Sequence, residues 1–445
     1  MRPRNRELVA LIPASLLITA GFAAIFVQRQ GRLSSVSLTY GVIFLGLCVA
    51  AHLVLRWRLP YADPYLLPLV AALASVGLVM IYRLQASLAG QQAAWFAVGL
   101  VLFAATIVFL RDYRALQRYR YTIAVFGIAF MLAPRLPVIG QAVNGAYLNV
   151  KLGPIAFQPA ELGKIAIVIF LASYLRDTRQ VLVLGARRVL GVTFPPLKHL
   201  GPLIVVWGTA MLILIFTREL GTSLMFYGAF LALLYVATSR VSFAVIGLVL
   251  FAGGAWYVAG HVPHVHDRVL AWQHPFDPVL YNKIGGSYQL AQGLFSQADG
   301  GLFGQGFGQA ILTLPNGGSL LPVPQSDFIY AVITDELGLF GAAGVIALYI
   351  LIVERGYKIA MQARDSFSTL LATGLTTVLA LQVFIIVGGV TRVIPLTGVT
   401  LPFIAYGGSS IAMNFVLIAL LLLISHHARA PRSRRATTLP PRVDA

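Results

Sequence analysis

The chain has 445 residues, 58% hydrophobic and 11% charged, with a formal net charge of +18. It is too apolar for a water-soluble protein of this length, and many of its apolar runs approach the ~20 residues that cross a bilayer as helix. The short alternating segments of a membrane β-barrel are absent, the one cysteine (Cys48) can build neither a disulfide nor a thiolate metal site, and basic residues spread over alternate loops speak for topology rather than nucleic-acid binding.

In chain order, Arg2, Arg4 and Arg6 precede an apolar run longer than a signal-peptide core and without a small-residue cleavage site, so it reads as a retained span. Helical spans are expected near 8–27, 38–55, 65–81, 93–110, 121–132, 162–175, 201–216, 220–237, 243–259, 328–353, 370–390 and 404–425. The fold class is therefore an all-α polytopic membrane protein of about twelve transmembrane helices, with a large loop at 260–327 between the ninth and tenth. Of the 33 Lys and Arg, 23 fall on the side that holds the N-terminus, nine on the other, and Lys164 inside a span. Both termini are expected in the cytoplasm, with loops 133–160 and 260–327 outside. The tail from 426 to 445, rich in Arg and Pro, reads as disordered and drawn to anionic lipid.

Ionisable residues near the outer ends of the spans are few. Asp327, in Pro324-Gln325-Ser326-Asp327-Phe328, stands where water gives way to lipid; either Ser326 or Asp327 caps the following helix, or the carboxylate faces a wet functional cavity. Glu161 and Lys164 share one helix face, as a mutual ion pair or as a charged cavity wall with Lys164 offered to a phosphate. Arg218 and Glu219 occupy an outer turn, and Arg392 precedes a segment rich in Gly and Pro that ends in Leu401-Pro402-Phe403 and Gly407-Gly408-Ser409-Ser410. Backbone of that composition at membrane depth either lines a cavity or packs closely on other helices. Residues 287–294 have the period of an interfacial amphipathic helix. The run Gly304-Gln305-Gly306-Phe307-Gly308 has no strand before it, so its glycines serve tight turns and close backbone approach rather than a nucleotide. His261, His264, His266 and His274 with Asp267 sit in a loop without metal-site spacing and read as solvated.

Together these motifs resemble the SEDS family (shape, elongation, division and sporulation), which includes RodA and FtsW. The matching stretches are Asn144-Gly145-Ala146, Gly153-Pro154 to Lys164, Glu219-Leu220-Gly221-Thr222-Ser223, Pro324 to Ile329, Glu336-Leu337-Gly338 and Leu401 to Ser410, in family order across roughly 65–425. Two departures stand out. Tyr147-Leu148-Asn149 replaces the family's Arg-Arg-Trp, and residues 1–64 add two spans to the usual ten, as in RodA-like members. The resemblance implies a glycosyltransferase that polymerises lipid II in the bacterial plasma membrane, beside a class B penicillin-binding protein that crosslinks the product. It places the family's essential loop aspartate on Asp327, after Ser326 in place of threonine. It also carries the family's charged positions onto Glu161, Lys164 and Glu219, the last replacing an aspartate. On this reading Asp327 is the catalytic base, and Lys164, Arg218 or Arg392 steadies the leaving diphosphate. No cofactor is required, though a divalent cation is an alternative partner for the diphosphate. A lipid II flippase, or a scaffold for the wall-building assembly, is the competing reading. A flippase would line a path to both faces with its acidic groups.

Overall fold

The computed structural model describes residues 3–31, 35–137, 139–143, 146–153, 155–184, 187–189, 192–194, 197–217, 219–283, 285–313 and 319–431. Asn144, Gly145, Pro154, Arg218 and the tail beyond 431 lie outside the described residues. The helices are α1 (Pro3–Gln30), α2 (Ser35–Arg58), α3 (Leu66–Leu84), α4 (Ala86–Phe109), α5 (Arg120–Leu132), α6 (Pro159–Leu184), α7 (Leu197–Phe216) and α8 (Leu220–Thr238). They continue with α9 (Val241–His261), α10 (Pro263–Gln273), α11 (Pro278–Asn282), α12 (Tyr288–Gly300), α13 (Ile329–Gln362), α14 (Ser366–Val390) and α15 (Gly408–Arg429). Leu-, Val- and Ala-rich runs take this form because a backbone in lipid must satisfy its own N–H and C=O groups.

Among the described residues nine helices are long and apolar enough to cross a membrane: α1 to α4, α8, α9 and α13 to α15. The fifth to seventh expected spans fall on α5, α6 and α7. Of these α5 has only 13 residues, α6 carries Glu161, Lys164, Arg176, Asp177 and Arg179, and the apolar part of α7 is limited to Gly201–Phe216. The tail begins later than expected, since α15 stays helical to Arg429.

Enclosure ranks the helices. In α15 89% of the apolar window is buried and in α14 72%, against 11% in α9, so α14 and α15 form the centre while α9 faces lipid. Phe415 of α15 meets Phe96, Phe103 and Phe403 edge to face at centroid distances of 5.3–6.2 Å, which locks α15 to α4.

Two small sheets interrupt the helical pattern. The connection between α5 and α6 holds an antiparallel meander of β1 (Gly140–Val143), β2 (Ala146–Leu152) and β3 (Ile155–Phe157), and β4 (Arg187–Val189) pairs with β5 (Val192–Phe194). The amphipathic segment expected at 287–294 is the start of α12, and Arg268 lies on α10.

α13 contains a sharp break at Gly338 (φ 67°, ψ −170°). The glycine-rich loop supplies the hydrogen bonds that the broken helix lacks. Leu339 N–H donates to Gly301 O (2.9 Å), Gln305 N–H to Asp335 O (2.9 Å) and Gly306 N–H to Glu336 O (3.2 Å). A Cβ on Gly338 would strike the backbone of Leu302 and Gly304, and one on Gly304 the backbone of Glu336. This close approach is the role the sequence assigned to these glycines.

At the other end of the bundle, α1 and α2 are fastened by a buried polar cluster. Arg4 pairs with Glu7 and donates to Ala62 O, and His52 Nδ1 lies 2.7 Å from Glu7 Oε1. Next to it, Asp63 takes Arg429 at 2.7 Å and Arg355 at 3.8 Å.

Candidate active site

Asp327 lies two residues ahead of α13. Phe328, not Asp327, occupies the N-cap position, and no side chain caps that end. The capping role considered for Ser326 and Asp327 is therefore absent. Instead Ser326 Oγ donates to Asp327 Oδ1 at 3.2 Å. The Phe328 ring presses on α12 at Gly293, where a Cβ would come within 2.7 Å of it. Phe328 is thus held in the core while Asp327 is only partly buried.

The other carboxylate oxygen, Oδ2, faces Gly398, 3.5 Å from where a Cβ would stand. Gly398 belongs to an irregular strap, residues 391–407, that joins α14 to α15. Gln382 Nε2 donates to Thr400 O (3.0 Å), Gln92 Nε2 to Ala405 O (3.1 Å), Tyr349 Oη to Pro402 O (2.5 Å) and Tyr406 N–H to Gln325 O (2.8 Å). Such cross-links are what non-helical backbone needs inside a membrane protein. Three of the four described non-glycine residues at positive φ stand here or on the approach to Asp327: Val323 (49°), Arg392 (62°) and Phe403 (66°). β-Branched Val323 in this region marks stored strain.

Arg268 of α10 reaches the strap, its Nη1 donating to Leu396 O (3.3 Å) and Thr397 O (3.2 Å). Its charge acts on Asp327. Burial raises the Asp327 carboxyl above the ordinary carboxylate range, and Ser326 and Arg268 offset only part of that rise.

On the far side of the strap, Glu219 sits at the start of α8. Thr397 and Val399 pack on Gly221 so closely that a Cβ there would strike Val399. Residues 397–399 are therefore flanked by Asp327 on one side and the Glu219 end of α8 on the other. Glu219 accepts from Gln158 Nε2 (3.2 Å), while its Oε2 has no hydrogen-bond partner among the described residues. Burial, with the charge of Glu161 added, pushes its carboxyl up to about 7.

Lys164 is 1% exposed. Its Nζ lies 2.5 Å from Glu161 Oε2, 3.0 Å from Gln382 Oε1 and 3.1 Å from Asn414 Oδ1. Three protein acceptors thus surround the ammonium, Gln382 and Asn414 through hydrogen bonds and Glu161 as an ion pair. Lys164 steadies Gln382, which holds the strap. Arg392 likewise caps α10, donating from Nε to Trp272 O and from Nη2 to Gln273 O, both at 2.8 Å. Sequence reasoning passed over Gln382 and Asn414, although a polar amide inside an apolar run was the signal. It also gave Arg268 no role, since nothing local marks that residue. Among the described residues no group of three or more His, Cys, Asp or Glu stands close enough to hold a metal.

The family model described as cell cycle protein, which unites FtsW, RodA and SpoVE, matches residues 64–430. The chain belongs to this family. The peptidoglycan glycosyltransferase RodA of Mycobacterium leprae is 40% identical over 98% of this chain and 94% of its own length. The stage V sporulation protein E of Bacillus subtilis is 30% identical over 82% of this chain and 98% of its own. Similarity to the mycobacterial protein thus extends over α1 and α2, which precede the family match. Among solved structures, a chain of a peptidoglycan synthase complex that coordinates polymerization and crosslinking superposes with a TM-score of 0.67 at 24% identity, covering 83% of this chain and 99% of its own. RodA of Thermus thermophilus gives 0.58 at 23% identity, covering 83% and 98%. At these identities the superpositions establish the FtsW/RodA/SpoVE fold.

Proposed function

We propose that this chain is a peptidoglycan glycosyltransferase that polymerises lipid II, with Asp327 as the general base. The observation that carries the reading is a partly buried carboxylate that caps no helix, set against a strained strap that Arg268 also reaches. Asp327 takes the proton from the 4-hydroxyl of the acceptor's N-acetylglucosamine. That oxygen attacks the anomeric carbon of the donor's N-acetylmuramic acid, and undecaprenyl diphosphate departs with the bonding electrons. The α-linked donor becomes a β-linked product by one inversion, so the reaction needs a base and charge stabilisation but no nucleophilic side chain. A carboxyl raised by burial is the stronger base. Arg268, whose charge already reaches Asp327, is better placed to steady the diphosphate than Lys164, which is bound to Gln382 and Asn414, or the helix-capping Arg392. Ser326 orients the carboxylate, and Glu161, Lys164 and Glu219 shape the strap around the substrate. A divalent cation, if the reaction uses one, would enter on the diphosphate itself.

The protein sits in the bacterial plasma membrane as a multi-pass chain of twelve spans with both termini in the cytoplasm. Residues 1–64 are an added helix pair, and a class B penicillin-binding protein is the partner. Purified Asp327→Asn should insert normally yet lose polymerisation of lipid II by at least about 10²-fold. In the unaltered protein the rate should rise with pH through a midpoint above the ordinary carboxylate range. Near-normal polymer from Asp327→Asn would end the base assignment. Transfer of lipid II across vesicles without any polymer would favour a flippase.

A further inference from the structure

α12 borders a cavity of about 370 Å³ that the proposed chemistry leaves unused. Its polar wall includes Gln292, Asp299, Gln309 and Asp335, and Phe295 and Leu320 supply apolar wall. Among the described residues no Lys, Arg or His lines it, which does not suit a phosphate or diphosphate. Carboxylates and amides interleaved with one aromatic face suit hydroxyl and acetamido groups along an edge and the C–H face of a sugar ring. The wall is braced. Phe295 stacks on Phe276 at a centroid distance of 5.4 Å, Ser296 Oγ donates to Asp335 Oδ2 (2.8 Å), and Gln292 Nε2 donates to the Tyr281 hydroxyl (2.6 Å). Asp299 and Gln309 are exposed and line the cavity, so both side chains are accessible to a ligand that enters it.

The cavity lies near the site, although Asp327 is not among the residues that line it. Asp335 lies six residues into α13, roughly 9 Å along the axis from the end next to Asp327. Gln292 neighbours Gly293, on which Phe328 packs, and Leu320 belongs to the segment that runs into Asp327. We propose that this cavity is a saccharide subsite, holding the growing glycan strand through its hydroxyl and N-acetyl groups beside the bond-forming carboxylate. The proposal rests on the glycosyltransferase reading.

The test uses the full chain in lipid nanodiscs and a peptide-free oligosaccharide of alternating N-acetylglucosamine and N-acetylmuramic acid. Saturation transfer to the oligosaccharide is expected from the unaltered protein and from Asp327→Asn. It should be lost in Gln292→Ala/Gln309→Ala and reduced in Asp299→Asn, which preserves side-chain shape. With lipid II, both variants should make strands several-fold shorter relative to their rate of first linkage. Absence of transfer from the unaltered protein, transfer only to peptide-bearing oligosaccharide, or an unchanged strand length in both variants would overturn the subsite. Polymerisation by Asp327→Asn would instead remove the base assignment and leave the subsite to be judged on binding alone.

Discussion

Lys164 and Glu161 show how a membrane interior treats charge at the scale of single residues. The pair is buried, and two amides complete its shell. Removing one partner of such a pair leaves an uncompensated buried charge, at a cost of about 3–5 kcal/mol. Lys164→Met should therefore lower the denaturation midpoint sharply. Glu161→Gln/Lys164→Met should recover part of the loss, a pattern that two independent costs would not give. Glu219 makes the opposite case, a buried acid without a cation. Its folded-state value of about 7 lies above the ordinary value near 4.5. The unfolded chain therefore releases this proton first, and stability falls as pH rises from about 4.5 to about 7. The full cost is about 3 kcal/mol above that window. Glu219→Gln should be more stable than the parent at pH 8 and nearly equal to it at pH 4.5, as read by intrinsic fluorescence during heating. An equal gap at both values would contradict the buried carboxyl that no cation neutralises.

Among the elements, α13 and the glycine loop form one unit. The loop's N–H groups satisfy the carbonyls that the break at Gly338 exposes, and the two backbones meet without side chains between them. Gly338→Ala adds a Cβ to a left-handed residue and drives it into Leu302 and Gly304. Strain and overpacking together should cost about 2–5 kcal/mol. The expected result is a lower thermal midpoint and faster proteolysis of residues 300–308, whereas Gly344→Ala, on the same helix in open space, should change neither. The strap obeys the same rule. Its carbonyls are met by Gln92, Arg268, Tyr349 and Gln382 from four different helices, so an irregular segment can stay at membrane depth. The β1–β3 meander was not foreseen because strands of 3–7 residues carry too little alternation to stand out in an apolar chain.

For the whole molecule, the distribution of Lys and Arg makes a topological claim that labelling can test. Cys48 is buried, so the unaltered chain offers a low background. Val279 and Met361 are 78% and 79% exposed and belong to opposite sides of the expected arrangement. In intact cells a membrane-impermeant maleimide should label Val279→Cys and spare Met361→Cys until the membrane is opened. The reverse order would invert the topology and place Asp327 on the wrong face.

The amino-acid sequence alone determined the membrane class, the order of the long helices and the motifs that mark the family. These are local properties, since apolar length and short motifs survive without any knowledge of packing. Only the tertiary structure decided which polar groups meet. Lys164 finds Gln382 and Asn414 across 218 and 250 residues, and Arg268 finds the strap across 128. Such partnerships follow from how helices pack, and packing is a property of surfaces that no single stretch of chain contains. For the same reason the partners of Lys164 could not be read from its motif, and Arg268, which no motif marked, came to lie where its charge acts on Asp327.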